Sequence, residues 1–533
     1  MKKWILSAAL AFLIINSEIS LANDGYRRLN NVDVLHYKIR LEIGHASSEI
    51  RGETTIRVKT TKPIDILPLD LVSLSVDTVR VNGQETNFEY IDGKLNVLID
   101  QDHVGQEIIN IAVTYHGKPS DGLFLQKNKF GERSVFADNW PNRARNWFPS
   151  IDHPYDKATV EFIITAPSDF DVVANGRLVG ITPVSAKLKQ THWKTDVAIP
   201  TYCMVIGAAR FSIISAGMSD NIPVSYYLFP PDSARGSTDF SRSIDMLSFY
   251  TNLFGPYPYE KLSLVQSSTR FGGMENASAI FLDENSITGT KQNETVIAHE
   301  IVHQWFGDSV TESDWLHLWL SEGFATYFGA VFYEKFDGIE QLNVMLQQHR
   351  SRYFKANDRL SIPIVNPTTT NLYDLLNAYN YSKGALVLHM LRNLLGDQDF
   401  FDGIRRYYQI YRDKTALTHD FQVTMELQSE MKLAWFFDQW IFRSGHPELD
   451  VTWSWSEQSQ EVVVVVKQTQ SQAPFRFPLT LAFINQETEI RSHVDIRERL
   501  QIFRFKKKLT PEILIIDPEK ALLIRSRVKL VDH

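Results

Sequence analysis

Apolar residues recur at every second position through much of the first 215 residues. Tyr37, Ile39, Leu41 and Ile43 alternate with polar neighbours, and the habit returns over Thr54 to Lys59. Such alternation sets one face of a strand on a core and the other in water. Val79-Arg80-Val81 runs into Asn82-Gly83, the commonest two-residue hairpin turn. Thr159 to Thr165 reads as another strand, closed by a turn at Ala166-Pro167-Ser168. Residues 23–215 are therefore expected to form an N-terminal all-β domain.

Over 216–445 the period lengthens. Ile244, Leu247, Phe249 and Tyr250 fall at helical spacing and stop at Gly255-Pro256. Leu386, Met390, Leu391 and Leu394 do the same before Gly396, and Trp435, Phe436, Gln439 and Trp440 close the helical stretch. Past 446 alternation resumes with Val451, Trp453 and Trp455, then the strands Val462 to Val466 and Ile513 to Ile516. The last segment, 446–533, has the size of a small β-sandwich.

A chain of 533 residues outgrows a single core, which agrees with three domains. The formal charge of −8 excludes a basic footprint for nucleic acid. Lys2, Lys3, the apolar run Trp4 to Ile15 and the small residues Ser20-Leu21-Ala22 form an export signal over 1–22, too short for a stable membrane span. With Cys203 as the only cysteine, no intramolecular disulfide can form, and the protein is expected to be periplasmic or secreted, of bacterial type. Cys203 itself sits in an apolar run and reads as a core residue.

The chemistry concentrates in the helical segment. His299-Glu300-Ile301-Val302-His303 puts two imidazoles one helical turn apart on one face, with Glu300 about 100° round from His299. Ser321-Glu322-Gly323 lies in a second apolar segment, 19 residues beyond His303 (322 − 303). Two antiparallel helices joined through Gly307 to Asp314 would bring Glu322 opposite both histidines. Two histidines, a glutamate and water make an open zinc site of the catalytic kind, one ion per chain. The metzincin pattern does not fit, because Phe306 and Ser309 stand where it needs glycine and histidine. Nor does the thermolysin-type endopeptidase pattern, which expects Ser-Asp where Ala325-Thr326 stands.

With HEIVHQWFG (His299 to Gly307) and WLSEGFA (Trp319 to Ala325) both in view, the chain resembles the aminopeptidase N family of zinc metallopeptidases, of the gluzincin clan. Gly272-Gly273-Met274-Glu275-Asn276 is similar to that family's exopeptidase motif, and Tyr381-Ser382-Lys383-Gly384-Ala385 to its catalytic tyrosine motif. The resemblance implies an all-β N-terminal domain, a thermolysin-like catalytic domain and a small β-sandwich. It also implies that the large helical fourth domain of many members finds no room before His533. The implied activity is hydrolysis of the N-terminal bond of peptides by a metal-activated water. His299, His303 and Glu322 would be ligands, Glu300 the base and Tyr381 the oxyanion donor. Glu275 would bind the substrate ammonium, with Gly272, Gly273, Met274 and Asn276 beside it. Where the family has a second amine-binding acid or amide, this chain has Trp140, and Asp138 two residues earlier is expected to share the charge. The expected partners are peptides with a free amino end. The rival readings are an inactive peptide-binding protein on the same fold and a lipid-epoxide hydrolase.

Overall fold

The computed structural model describes residues 24–44, 47–99, 108–486, 488–506 and 510–531. The export segment expected over 1–22 lies outside them. Alternation becomes pairing in β1 (Val32–Ile43) and β2 (Ile50–Thr60), which run antiparallel with Tyr37 opposite Ile56. The strand β3 (Lys157–Pro167) adds to β1 in parallel, with Ile39 opposite Phe162 and Leu41 opposite Ile164. Tyr37, Ile39, Leu41, Phe162 and Ile164 are all buried on one face. Among the described residues these strands belong to a nine-stranded sheet. The Asn82-Gly83 turn has the positive φ angles, 49° and 87°, that its residue types favour.

A three-stranded and a four-stranded sheet also belong to the N-terminal β-rich region among the described residues, and β4 (Ile206–Ala209), an inner strand of the latter, is its last strand in the chain. The next strand, β5 (Ser212–Ser219), already pairs with β6 (Ile222–Leu228) of the following sheet. The change of sheet thus falls at Arg210 and Phe211, a few residues ahead of the boundary expected at 215. Apolar alternation runs on across that boundary, so pattern alone does not reveal a change of partner. The second sheet continues through β7 (Leu262–Ser267), β8 (Gly273–Met274) and β9 (Ala279–Asp283) in the order β5-β6-β7-β9-β8. That order leaves β8 at an edge.

Helices dominate the middle region. α1 (Ser243–Phe254) buries Met246, Leu247, Tyr250 and Phe254. α2 (Glu294–His303) packs on α3 (Trp319–Asp337), and α3 packs on both α4 (Ile339–Asn357) and α5 (Gly384–Leu395). Every residue of α3 from Trp319 to Tyr333 is buried, the state of a helix surrounded by protein. Trp305, Phe306 and Trp319 are among the buried aromatics of this core. A single π turn, Tyr379–Lys383, leads into α5. Gly323 of α3 meets Gly384 at the start of α5 so closely that a Cβ on Gly323 would stand 3.0 Å from the Gly384 Cα. The C-terminal strands form one four-stranded and one three-stranded sheet, with Val451, Trp453, Val462, Val464 and Val466 turned inward. Among the described residues no helix is long and apolar enough to cross a membrane.

Candidate metal centre and active site

One turn of α2 and the first turn of α3 bring three ligand atoms together. His299 Nε2 lies 3.0 Å from His303 Nε2 and 3.1 Å from Glu322 Oε2, and His303 Nε2 lies 3.4 Å from the same oxygen. Glu322 belongs at a helix start, where the partial positive charge of free N–H groups favours a carboxylate. His303 Nδ1 sits 3.1 Å from the Phe306 carbonyl and 3.0 Å from Ser321 Oγ. A carbonyl only accepts, so Nδ1 carries the hydrogen and the Nε2 lone pair faces the other two ligand atoms. Two such nitrogens at 3.0 Å repel each other unless a proton or a cation stands between them. The donor set of two imidazoles and one carboxylate, converging with these separations, fits a divalent metal ion.

Three carboxylates crowd this spot. Glu300 is buried, and burial pushes its pKa well up; Glu275 and Glu322 raise it further while His303 pulls it back. Burial likewise lifts Glu275 to about 7, against the pull of His303. Glu322 goes the other way, because the facing His303 and His299 outweigh its own burial. Tyr381 reaches in from the π turn, donating to Glu322 Oε1 at 2.7 Å, with its ring stacked 5.9 Å from that of His299. Burial and the Glu322 charge hold the Tyr381 pKa well above its usual value, so the hydroxyl keeps its proton.

A cavity of about 500 Å³ opens over these groups. Glu275, Gly272, Gly273, Met274 and Trp140 line it along with the metal set. The edge strand β8 carries Gly273 and Met274, leaving one row of backbone groups free of strand partners. Both glycines were expected beside the substrate ammonium. Gly272 does face open space, but a Cβ on Gly273 would stand 2.6 Å from the Cδ of Glu300. Gly273 therefore makes room for the Glu300 side chain rather than for a ligand. Trp140 is buried, and its ring meets Phe271, Trp315 and Tyr373 edge-on at 5.7 to 6.0 Å.

Two expected binding residues are not in the cavity wall. Asp138 is buried, paired with Arg143 and 3.3 Å from Thr269 Oγ1. Its charge is already answered, so it does not take the place that Trp140 leaves open. Asn276 is fully buried and turns away from the cavity, because β8 ends at Met274 and the chain bends before β9. Other contributors escaped the sequence reading. Gln304, directly after His303, donates to the Glu275 carbonyl at 2.5 Å and accepts from the Ser278 amide at 2.7 Å, tying the Gly-Gly-Met-Glu segment to α2. Residues of α4 form a second wall. Nothing in their spacing points to a cavity.

A β-rich region set on a helical one, with paired histidines on one helix and a glutamate on the next, is the build of a two-helix metallopeptidase. The chain belongs to the M1 family of peptidases: residues 34–203 match the peptidase M1 N-terminal domain and residues 239–440 the peptidase family M1 domain. It is 30% identical over 405 residues to tricorn protease-interacting factor F2 of Thermoplasma acidophilum, covering 72% of this chain and 50% of that one. It is 26% identical over 443 residues to aminopeptidase M1-C of Oryza sativa subsp. japonica, covering 78% and 50%. With probable aminopeptidase 2 of Sulfurisphaera tokodaii the figures are 26% over 445 residues, covering 79% and 55%. The chain spans about half the length of the curated relatives it matches.

Proposed function

We propose that this protein is an exported zinc aminopeptidase that hydrolyses the first peptide bond of peptides with a free amino end. The observation that carries the reading is a buried carboxylate, Glu275, lining the same cavity as His299, His303, Glu322, Glu300 and Tyr381. An endopeptidase has no use for a buried acid at that point, whereas an ammonium needs one. Relatives named aminopeptidases support it. Export rests on the charge and apolar pattern of residues 1–22 alone.

His299, His303 and Glu322 would hold the zinc, which when bound supplies a Lewis acid that polarises the scissile carbonyl and acidifies water. Glu300, whose pKa is raised by burial and by its carboxylate neighbours, is suited to take a proton and return it to the leaving nitrogen. Tyr381 keeps its proton and can turn its hydroxyl from Glu322 to the carbonyl oxygen as negative charge grows there. Glu275 anchors the ammonium and so fixes which bond faces Glu300. The free edge of β8 can pair with the substrate backbone. The test combines metal analysis of the purified protein with turnover of a chromogenic aminoacyl amide. About one zinc per chain with turnover is expected. Efficient cleavage of peptides whose amine is acetylated would refute the exopeptidase reading.

A further inference from the structure

The cavity is electrically lopsided. Its carboxylates, Glu275, Glu300 and Glu322, all stand at the metal set, while the α4 wall presents Gln341, Met345, Gln348 and Arg352. Those four lie at i, i+4, i+7 and i+11, one face of a helix. Arg352 is the only lysine or arginine among the lining residues, it is exposed at the mouth, and no carboxylate pairs with it among the described residues. The adjacent His349 adds no charge. Burial first, then the neighbouring Arg352 and His299, hold its pKa near 4, and its Nδ1 lies 3.1 Å from Ser382 Oγ.

The two ends of α2 orient a bound peptide. Glu275 is tied by its carbonyl to Gln304, just past the C-terminal end of α2, and β8 packs on α2. Thr295 and Val296, at the N-terminal end of α2, line the same cavity as the α4 wall, and α4 packs on α3 and on the Tyr381 turn. His299 and His303 lie between. A peptide held by its ammonium at Glu275 and by its first carbonyl at the metal set therefore runs on toward α4. A cavity of about 500 Å³ encloses a ligand of drug-like size, the size of a short peptide. At neutral pH such a peptide is a zwitterion, positive where the cavity is acidic and negative where Arg352 stands.

We infer that Arg352 binds a carboxylate on the substrate beyond the scissile bond, giving the site a preference for short peptides with a free carboxyl end or an acidic residue there. The planar guanidinium presents two parallel N–H donors to such a group, which a lysine cannot do. This rests on the aminopeptidase reading. The test uses three peptides with one common first residue: Leu-Gly-Gly as the free acid, Leu-Gly-Gly as the amide, and Leu-Gly-Glu as the amide. For the wild type, kcat/KM for the free acid should exceed that for the amide by roughly three- to tenfold at low ionic strength, a modest factor because Arg352 is exposed. The factor should shrink as salt is added. In Arg352→Gln it should fall toward one, and Arg352→Lys should keep only part of it. Cleavage of Leu-Gly-Glu amide as good as that of the free acid identifies acidic side chains as ligands too; cleavage no better than Leu-Gly-Gly amide identifies the chain terminus. A ratio near one in the wild type, or a ratio that survives in Arg352→Gln, overturns the inference. If none of the peptides is cleaved, the aminopeptidase reading itself fails, and the same ratio is read from calorimetric Kd values.

Discussion

Glu275 and Asp138 are both buried acids close to the cavity, yet their surroundings assign them opposite jobs. Asp138 spends its charge on Arg143, whose side chain is only 4% exposed. Removing one member of such a pair leaves a buried charge unanswered, so Asp138→Asn should cost about 3 kcal/mol and lower the melting temperature. Glu275→Gln should leave the melt nearly unchanged and instead cut kcat/KM, because its carboxylate faces the cavity. Burial holds Glu275 near pH 7, so protonation on the acid side removes the partner of the substrate ammonium. Thus kcat/KM should fall as pH is lowered through about 7, an acid limb that belongs to the Glu275 and Glu300 cluster as a whole. Glu275→Gln should flatten that limb. Tyr381→Phe deletes one hydroxyl and almost no volume; steady-state kinetics should give a kcat roughly 10²–10³ lower with KM little altered. A raised KM with normal kcat would make Tyr381 a substrate-binding residue instead.

The placement of Tyr381 is a property of two elements. Its π turn reaches Glu322 because α3 and α5 touch through Gly323 and Gly384, with no side chain between the backbones. Gly323→Ala would push the turn outward at a cost of about 1–3 kcal/mol. A shift approaching 1 Å at the reacting groups costs roughly 10²-fold in rate, so kcat should fall far more than stability, with zinc content retained. Equal loss of metal would show that the contact serves Glu322 instead. Whether such relations can be read from sequence depends on their range. The histidine pair was legible because helical period sets both residues on one face, and Glu322 because a short connection folds the next apolar helix back on the first. The hairpin at Asn82-Gly83 was legible because two positive φ angles demand those residue types. The α4 wall was not, since its residues line a cavity only through the packing of α4 on α3. Asp138 was misread because its partner, five residues on, is chosen by a buried turn rather than by strand alternation. Asn276 was misread because the chain bends away just after β8.

At the scale of the whole molecule, the N-terminal β-rich region holds the connection between the two metal helices. Lys157, on β3, donates from Nζ to the carbonyls of Asp308 and Ser309 at 2.8 and 2.6 Å. Tyr202 Oη donates to the Gly307 carbonyl at 3.0 Å, and Arg28 bonds to Ser313 and Asp314. The loop that separates His303 from Glu322 is thus fixed by a different domain, and Glu322 inherits its position from that grip. Burial depresses the Lys157 ammonium to about 8, so the charge itself is a cost near neutral pH even as its hydrogen bonds satisfy two carbonyls. A buried lysine whose folded pKa lies below its unfolded one gains nothing from lower pH; its penalty builds as pH falls from the ordinary lysine range toward about 8 and stays at its full value below that. Lys157→Met, close in length and without charge, removes the penalty and the two bonds together. Those terms offset, so the melting temperature should shift little. The loop, freed of its anchor, should hold Glu322 less firmly, and losses of this kind behind a metal ligand typically weaken metal affinity by roughly 10–100-fold. Zinc competition against a chelator of known affinity measures this directly. Wild-type affinity in Lys157→Met would mean that α2 and α3 hold the site without help from the β-rich region, and the two regions would then be energetically separate.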